Sequence, residues 1–295
     1  MAAGWRHGLG LGRAGPLGMT SPVAPRRLIV NADDFGRTRG INQAVIRAHR
    51  EGILTSTSLM VNEPAADEAV ALARGNPRLG VGLHLTFLFG HSALPRESIP
   101  GLVNARRELG AKPAGAGWRF FFQRDLREEL RAEMHAQFGK FRATGLPLDH
   151  VNGHLHLHLH PTLFGLLMED AAQLGVERVR LTFDPFWLNL RLASGHWWYR
   201  VAHAVLFHLL AARARPVLRR RGLRHTRAVF GLLQHGRVDE AYVSRLLPRL
   251  PAGDSELYSH PSLEESKHEL AALISPRVRR QVEQLGIKLI RYQDL

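Results

Sequence analysis

The chain contains no cysteine, and most of its 40 basic residues are arginine rather than lysine. Disulfide bonds and thiolate metal sites are therefore excluded, so any metal ion must be bound by histidine or carboxylate side chains. The formal net charge of +14 suits phosphate, nucleic acid or anionic lipid without choosing among them. No basic region accompanies a helix-turn-helix, RNP or zinc-finger pattern, and we expect no nucleic-acid partner.

Long apolar runs are also lacking: no segment of about 18 or more uncharged apolar residues is present, which argues against a membrane-spanning helix. Residues 1–26 contain scattered Gly, Pro and Arg without the apolar run of a signal peptide. We predict a flexible, disordered leader there, with Met1 and Met19 as alternative starts. Residues 27–295 are long and apolar enough to form a single domain with one large core.

From residue 27 onward, short β-rich runs alternate with helical patterns, as in parallel strands joined by crossover helices. About seven strands over some 270 residues predict an α/β fold, a TIM-like (β/α) barrel, with an open doubly wound sheet as the alternative. The predicted strands are 27–32, 56–61, 79–87, 151–160, 178–183, 255–261 and 287–292, with a further apolar run at 228–233. The predicted helices include 41–52, 64–75, 125–145, one opened by Pro161, one at 238–248 and one at 276–286.

The run VNGHLHLHLHP, residues 151–161, places histidine at every second position. Read as a strand, it points His154, His156, His158 and His160 to one face and the leucines to the other. The four histidines would span about 20 Å, which is more than one metal ion can reach. We therefore expect one or two of them to bind metal and the others to line the pocket or orient the ligands.

Further candidate ligands lie at predicted strand ends, where (β/α) barrels carry their active sites. Asp33 and Asp34 follow the first strand in NADDFG, and His84 lies near the end of the third in GLHLT. Together with the histidine run they predict a site for Zn²⁺, Mn²⁺, Co²⁺ or Fe²⁺. A second candidate group, His260 in ELYSHPS, could serve as an acid; a turn or core role remains the alternative for each residue taken alone.

One segment, residues 185–227, interrupts the alternation with an aromatic, apolar centre followed by seven arginines between positions 213 and 227. We predict a helical insertion there. The part from 196 to 227 could lie on an anionic membrane, with its apolar face down and its arginines on lipid phosphates. A packed helix with a solvated basic end is the alternative.

The motifs NADDFG, GLHLT, HxHxH and the late SHP, in this order, resemble the YdjC-like carbohydrate deacetylases, which are relatives of the NodB-type polysaccharide deacetylases. The resemblance covers about residues 27–292. The segment 231–261 and the arginine-rich insertion are most similar to the hopanoid-biosynthesis-associated branch, called HpnK.

This resemblance implies a barrel of about seven strands and hydrolysis of an N-acetyl group on a sugar at one divalent ion, Mg²⁺ being a further candidate. Asp34, His84 and His154 match the metal ligands, Asp33 the base and His260 the late histidine. His156 and His158 are alternates, because relatives commonly carry Asp where this chain has Asn152. The implied partner is an N-acetylated sugar, linked to a hopanoid lipid in the HpnK branch, and a homodimer stays open.

We expect a cytoplasmic enzyme, peripheral to the inner face of the plasma membrane. Three alternatives are retained: a chitooligosaccharide-type deacetylase, a metal-dependent phosphoesterase, and a non-catalytic membrane-associated metal-binding protein. A phosphoesterase typically needs a second metal ion, so the number of ions bound per chain separates it from a deacetylase.

Overall fold

A curled parallel sheet flanked by helices forms the core of the structure, a computed structural model that describes Met1 and residues 25–295. Within the described residues, seven strands are arranged in the order β4-β3-β2-β1-β6-β5, with β7 paired to β1. The strands are β1 (Arg26–Phe35), β2 (Ser56–Leu59), β3 (Gly80–Leu85), β4 (Val151–Gly153), β5 (Ala228–Phe230), β6 (Gly253–Ser259) and β7 (Lys288–Leu289). The helices are α1 (Arg39–Glu51), α2 (Ala66–Arg74), α3 (Pro113–Phe122), α4 (Leu126–Ala143), α5 (Pro161–Leu174), α6 (Phe186–Leu192), α7 (Trp197–Arg220), α8 (Glu240–Leu246), α9 (Lys267–Ile274) and α10 (Pro276–Gln284).

Strand β1 lies at the centre of the sheet, and this position explains why its apolar run is continuous and buried. Leu28, Ile29 and Val30 are all fully buried, as expected for a parallel strand covered on both faces. The strand is longer than the predicted 27–32 and includes both aspartates of the NADDFG motif. The carboxyl ends of its parallel neighbours meet at the same edge of the sheet, which is where the candidate site residues lie.

The prediction of a parallel α/β sheet is confirmed, but a closed TIM barrel is not. Between β4 and β5 the predicted strand 178–183 forms only isolated bridges, Val151 with Val179 and Arg178 with Arg224. The Val229 amide also donates to the Phe183 carbonyl at 2.9 Å. The segment thus connects the two edges by single contacts rather than by a continuous ladder, and the sheet is a curled half-barrel.

The prediction of a histidine strand over 151–160 is wrong. Strand β4 ends at Gly153, and His154–Leu159 form a 3₁₀ turn in which Leu155 and His156 have φ angles of 53° and 57°. Two successive left-handed residues reverse the chain, so the histidines do not share one face and Leu155 is exposed. Hydrogen bonds from the buried imidazoles to distant parts of the fold stabilise this turn in place of a strand ladder, as described below.

Two further segments differ in detail from the sequence-based expectations. We predicted no helix between the strand 79–87 and the helix 125–145, but α3 lies there. It begins with proline at a favoured first-turn position, and its two glycines weaken the helical pattern in the sequence. The predicted insertion contains α6 and α7. The predicted leader lies almost entirely outside the described residues, although Arg26, which we assigned to it, begins β1.

From the packing of the core, we expect two Phe→Ala substitutions on neighbouring helices to differ in their effect on the free energy of unfolding. Phe138 of α4 is buried, whereas Phe121 of α3 is exposed. Phe138→Ala should lower the free energy of unfolding by about 3–5 kcal/mol because it leaves a cavity. Phe121→Ala should change it by less than about 0.5 kcal/mol. Urea denaturation followed by circular dichroism measures both, and equal losses would contradict the packing described here.

Candidate metal centre and active site

Three side chains from different parts of the sheet meet at its carboxyl edge. Asp34 comes from β1, His84 from β3 and His154 from the turn after β4, and all three are buried. Asp34 Oδ1 lies 3.0 Å from His154 Nδ1 and 3.3 Å from His84 Nε2. One donor atom from each residue lies within 4.8 Å of the others. Two imidazole nitrogens and a carboxylate oxygen at this spacing fit a divalent ion.

The two adjacent aspartates reach the same site because β1 is irregular there. Successive strand residues normally point to opposite faces. The pairing of β1 with β2 shifts register between Ala32 and Phe35, and Asp34 has a φ of 64°. A left-handed aspartate in a bulge redirects its side chain, at a cost in backbone strain that is typical of functional sites. Asp33 and Asp34 therefore both face the carboxyl edge.

Asn152 orients His84 for metal binding. The His84 Nδ1–H group donates to Asn152 Oδ1 at 2.7 Å, which leaves Nε2 of the same ring free to face Asp34. Such a bond fixes the tautomer and direction of a ligating imidazole. The amide oxygen of Asn152 thus accepts from His84, and its amide nitrogen donates to Asp33 Oδ1 at 3.1 Å.

Asp33 is held by a buried ion pair with Arg180. Both of its oxygens accept from Arg180, at 2.6 and 2.9 Å, and Arg180 also donates to Glu256. Burial alone would raise the pKa of Asp33, but the charge of Arg180 and its hydrogen bonds outweigh burial and hold that pKa well below its usual range. Ser58 donates to the same carboxylate at 2.8 Å. Asp33 is therefore ionised and fixed in position.

The remaining histidines of the run have other partners. His156 Nε2 lies 3.0 Å from the Tyr258 hydroxyl, and burial lowers the pKa of His156 well below its usual value. His158 Nε2–H donates to the Arg180 carbonyl, and burial lowers its pKa to about 3. His160 accepts from the Thr162 amide as the N-cap of α5. Of the four, only His154 lies with Asp34 and His84.

His260 lies directly after β6, at the same edge of the sheet. Its backbone amide donates to Glu269 at 2.6 Å. The His235 ring packs edge-on against it, with centroids 5.0 Å apart. Burial and then the nearby His260 lower the pKa of His235 to about 4, so His235 is neutral beside His260.

Sequence reasoning missed Arg180, Ser58, Tyr258 and His235. A signal for Arg180 was present, because it alternates with Val179 and Leu181 in the run 178–183, and a charge on the inner face of an apolar segment needs a buried partner. Ser58 lies in the predicted strand 56–61, where a single hydroxyl carries no signal of its own, and His235 lies in a segment without a pattern.

Residues 27–284 match the YdjC-like protein family, and the chain belongs to it. It is 31% identical to a carbohydrate deacetylase from Geobacillus stearothermophilus, over 92% of this chain and 98% of that protein. It is 39% identical to a carbohydrate deacetylase from Brevibacillus brevis and to a chitooligosaccharide deacetylase from Proteus mirabilis. Those two matches cover half of this chain, and the chain spans only 56% and 55% of the length of those relatives.

The fold is also similar to solved structures. A crystal structure from Enterococcus faecalis V583, described as that of a candidate cellobiose-phosphate cleavage protein, covers 92% of this chain and 99% of its own with a TM-score of 0.71 at 23% identity. An uncharacterized protein from Agrobacterium tumefaciens C58 gives a TM-score of 0.52 at 12% identity, over 94% of this chain and 91% of that one. These similarities concern the fold alone.

The orientation of His84 predicts a specific effect of Asn152→Ala. Loss of the acceptor for His84 Nδ1–H should weaken divalent-metal binding by about 10–100-fold. Titration calorimetry with Zn²⁺ or Mn²⁺ measures this affinity. Asn189→Ala is the matched control, because Asn189 is equally buried and bonds Arg200, away from the three ligands. Equal affinity in the Asn152 variant and the unmodified chain would show that the amide does not orient His84.

Asp184 predicts a pH dependence of folding stability. Burial raises its pKa to about 7, although the Leu233 amide donates to it at 3.1 Å. Between pH 4 and 7 the folded chain then binds more protons at this residue than the unfolded chain, so this contribution to stability falls as the pH rises. The full loss is about 4 kcal/mol.

Relative to the unmodified chain, Asp184→Asn should therefore gain stability between pH 4 and pH 7, which urea unfolding at a series of pH values measures. Asp67→Asn, at an exposed position on α2, is the control and should show no such gain. A stability difference for Asp184→Asn that stays constant over this range would contradict the raised pKa.

Proposed function

We propose that this chain is a metal-dependent carbohydrate deacetylase that hydrolyses the N-acetyl group of an amino sugar. The observation that carries this proposal is the meeting of Asp34, His84 and His154 around one point, with the ionised Asp33 fixed beside them. Membership of the YdjC-like family and the deacetylase names of the relatives support the substrate class.

In this proposal Asp34, His84 and His154 bind one divalent ion. Such an ion would polarise the acetamide carbonyl and lower the pKa of a bound water. Asp33 accepts the proton of that water. Its low pKa makes it a weak base, but the hydrogen bond of Arg180 to Glu256 offsets part of the positive charge that acts on Asp33.

His260 donates a proton to the leaving amine, and the products are acetate and a free amino sugar. The half-buried position of His260 after β6 places it at the edge that carries Asp33, and the neutral His235 packs against its ring. The neutral His235 therefore places no positive charge at contact distance from His260.

For the natural substrate we propose an N-acetylglucosamine linked to a hopanoid lipid, because the sequence resembles the hopanoid-biosynthesis-associated HpnK branch of the family. The exposed apolar side chains of α7 support a lipid-borne substrate. The similarity to the Proteus mirabilis protein favours a soluble chitooligosaccharide instead. We further propose that the chain acts in the cytoplasm, where the anionic inner leaflet attracts basic segments.

The first test is acetate release by metal-stripped full-length chain, with and without added Zn²⁺, Mn²⁺, Co²⁺ or Mg²⁺. The substrates are an N-acetylglucosaminyl hopanoid and diacetylchitobiose. Metal-dependent release from either establishes a deacetylase, and the preferred substrate separates the two substrate proposals. Release from neither under any ion would contradict the proposed function, and two ions bound per chain would favour a phosphoesterase.

Variants of the site residues should separate metal binding from turnover. Asp34→Asn, His84→Ala and His154→Ala should lose both, whereas Asp33→Asn should keep the metal and lose about 10²–10⁴-fold in kcat, because it removes the proton acceptor. His156→Ala should still bind metal. Metal content by mass spectrometry and acetate release measure the two properties, and Asp67→Asn serves as the exposed control. Retained activity in the Asp33, Asp34 and His84 variants would show that the site is assigned wrongly.

A further inference from the structure

Helix α7 is apolar on two opposite sides, and only one of them is covered. Its inner side, with Phe207, Ala211, Ala214 and Leu218, is buried against the fold. At 100° per residue, its outer side lies across the helix axis from these residues. There Trp198 is 89% exposed and Leu209 is 63% exposed, and Val201, Val205 and Leu206 lie on the same side. Exposed apolar patches of this kind mark interaction sites.

Other exposed apolar side chains lie on α3, α6 and the histidine turn. We define the apolar rim as the outer side of α7 together with these residues. Trp187 is 77% exposed and Trp118 is 67% exposed. The residues of the apolar rim are Trp118, Phe121, Phe122, Leu155, Trp187, Trp198, Val201, Val205, Leu206 and Leu209.

Helices α7 and α3, which carry most of the apolar rim, both contact the histidine turn next to the candidate active site. The ring of Phe207 on α7 packs edge-on against His156 at 5.3 Å, and the ring of Phe121 on α3 packs against His160 at 6.4 Å. Both histidines belong to the segment that carries His154. The two helices therefore flank the turn that supplies a metal ligand, and the outer side of α7 lies across the helix axis from the Phe207 contact.

Positive charge continues directly from the apolar rim. No acidic residue occurs between Asp184 and Asp239. Arg213 and Arg220 are seven residues apart, so they lie on the same side of α7 and extend the line of Leu206 and Leu209. Exposed arginines lie in the last two turns of α7 and directly after it, and within the part of the chain that the structure describes they pair with no carboxylate: Arg213, Arg219, Arg220, Arg221 and Arg227.

By length and composition alone, α7 could cross a bilayer, with a mean hydropathy of 1.3 over 18 residues. Its inner side argues against this orientation. The buried Arg200 donates to Asn189 at 2.8 Å and to the Ala193 carbonyl at 3.0 Å. Insertion across the membrane would break these bonds and expose Arg200 to hydrocarbon, at a high cost. A helix packed on one side and apolar on the other fits the membrane surface.

We propose that the apolar rim and the arginines of α7 bind the surface of an anionic bilayer. The apolar side chains enter the interface, and the arginines pair with lipid phosphates. This proposal concerns a binding surface and does not depend on the reaction catalysed. It therefore stands or fails separately from the proposed function.

The test is binding of the full-length chain to vesicles of phosphatidylcholine, with and without phosphatidylglycerol, followed by co-sedimentation. Binding should require phosphatidylglycerol and weaken with salt. An apolar variant, with Trp198→Ser, Leu206→Gln and Leu209→Gln, should bind at least about tenfold more weakly. An arginine variant, with Arg213→Gln, Arg219→Gln and Arg220→Gln, should bind about a hundredfold more weakly.

The matched control removes the same charge from α10, with Arg277→Gln, Arg279→Gln and Arg280→Gln. It should bind like the unmodified chain, and an equal loss there would show that net charge alone drives binding. Tryptophan fluorescence gives a second readout, because four of the five tryptophans lie on α3, α6 and α7. Their emission should shift to the blue on anionic vesicles in a Trp5→Phe background.

Two results would overturn the proposal. The first is equal binding to neutral and anionic vesicles, or binding to neither. The second is a dimer by analytical ultracentrifugation that the apolar variant dissociates, without vesicle binding by the unmodified chain. That result would assign the apolar rim to contact with a second copy. Circular dichroism of each variant confirms that it is folded, which is expected because the substituted residues are exposed.

Discussion

The buried guanidinium of Arg180 is the interaction on which the arrangement of the site depends. It is fully buried, bonds Asp33 and Glu256, and lies 4.7 Å from the centre of the Tyr258 ring. Two carboxylates this close and this deeply buried would repel each other and resist ionisation without a cation between them. Arg180 therefore keeps Asp33 charged and also fixes where its oxygens point.

The hydrogen-bond network of Arg180 extends in two directions, through Asp33 and through Glu256. Asp33 accepts from Asn152, which in turn accepts from His84, so the ion pair and the metal ligands share one set of hydrogen bonds. On the other side, Glu256 accepts from the Tyr292 hydroxyl, and the Tyr292 ring stacks on His150 at 4.2 Å. A change at either end is therefore expected to alter the position of Asp33, because satisfied buried polar networks behave as units.

Sequence reasoning located the strand ends well because parallel strands bring distant residues to one edge. That rule brought the two aspartates, His84 and the histidine run together as candidates. The resemblance to the YdjC-like deacetylases then selected Asp34, His84 and His154 among them. Sequence reasoning failed at the histidine run. There the period-two spacing predicted a strand, whereas the chain forms a 3₁₀ turn. Local spacing cannot reveal that His158 bonds the Arg180 carbonyl or that His156 faces Tyr258, since these partners are 22 and 102 residues away. The alternation of Arg180 with its apolar neighbours signals a buried charge, but it cannot reveal the partners Asp33 and Glu256, which are 147 and 76 residues away.

Those long separations have a consequence for how the protein folds. The bonds that hold Asp33 join residues 119 and 147 positions apart, and the candidate metal ligands come from three segments. Contacts of such range form slowly, because closing a long loop costs chain entropy before the contact contributes any favourable energy. The three ligands can therefore converge only after the central strands have paired. A metal ion bound by all three would cross-link β1, β3 and the turn after β4, and it would report that the chain has reached its native topology.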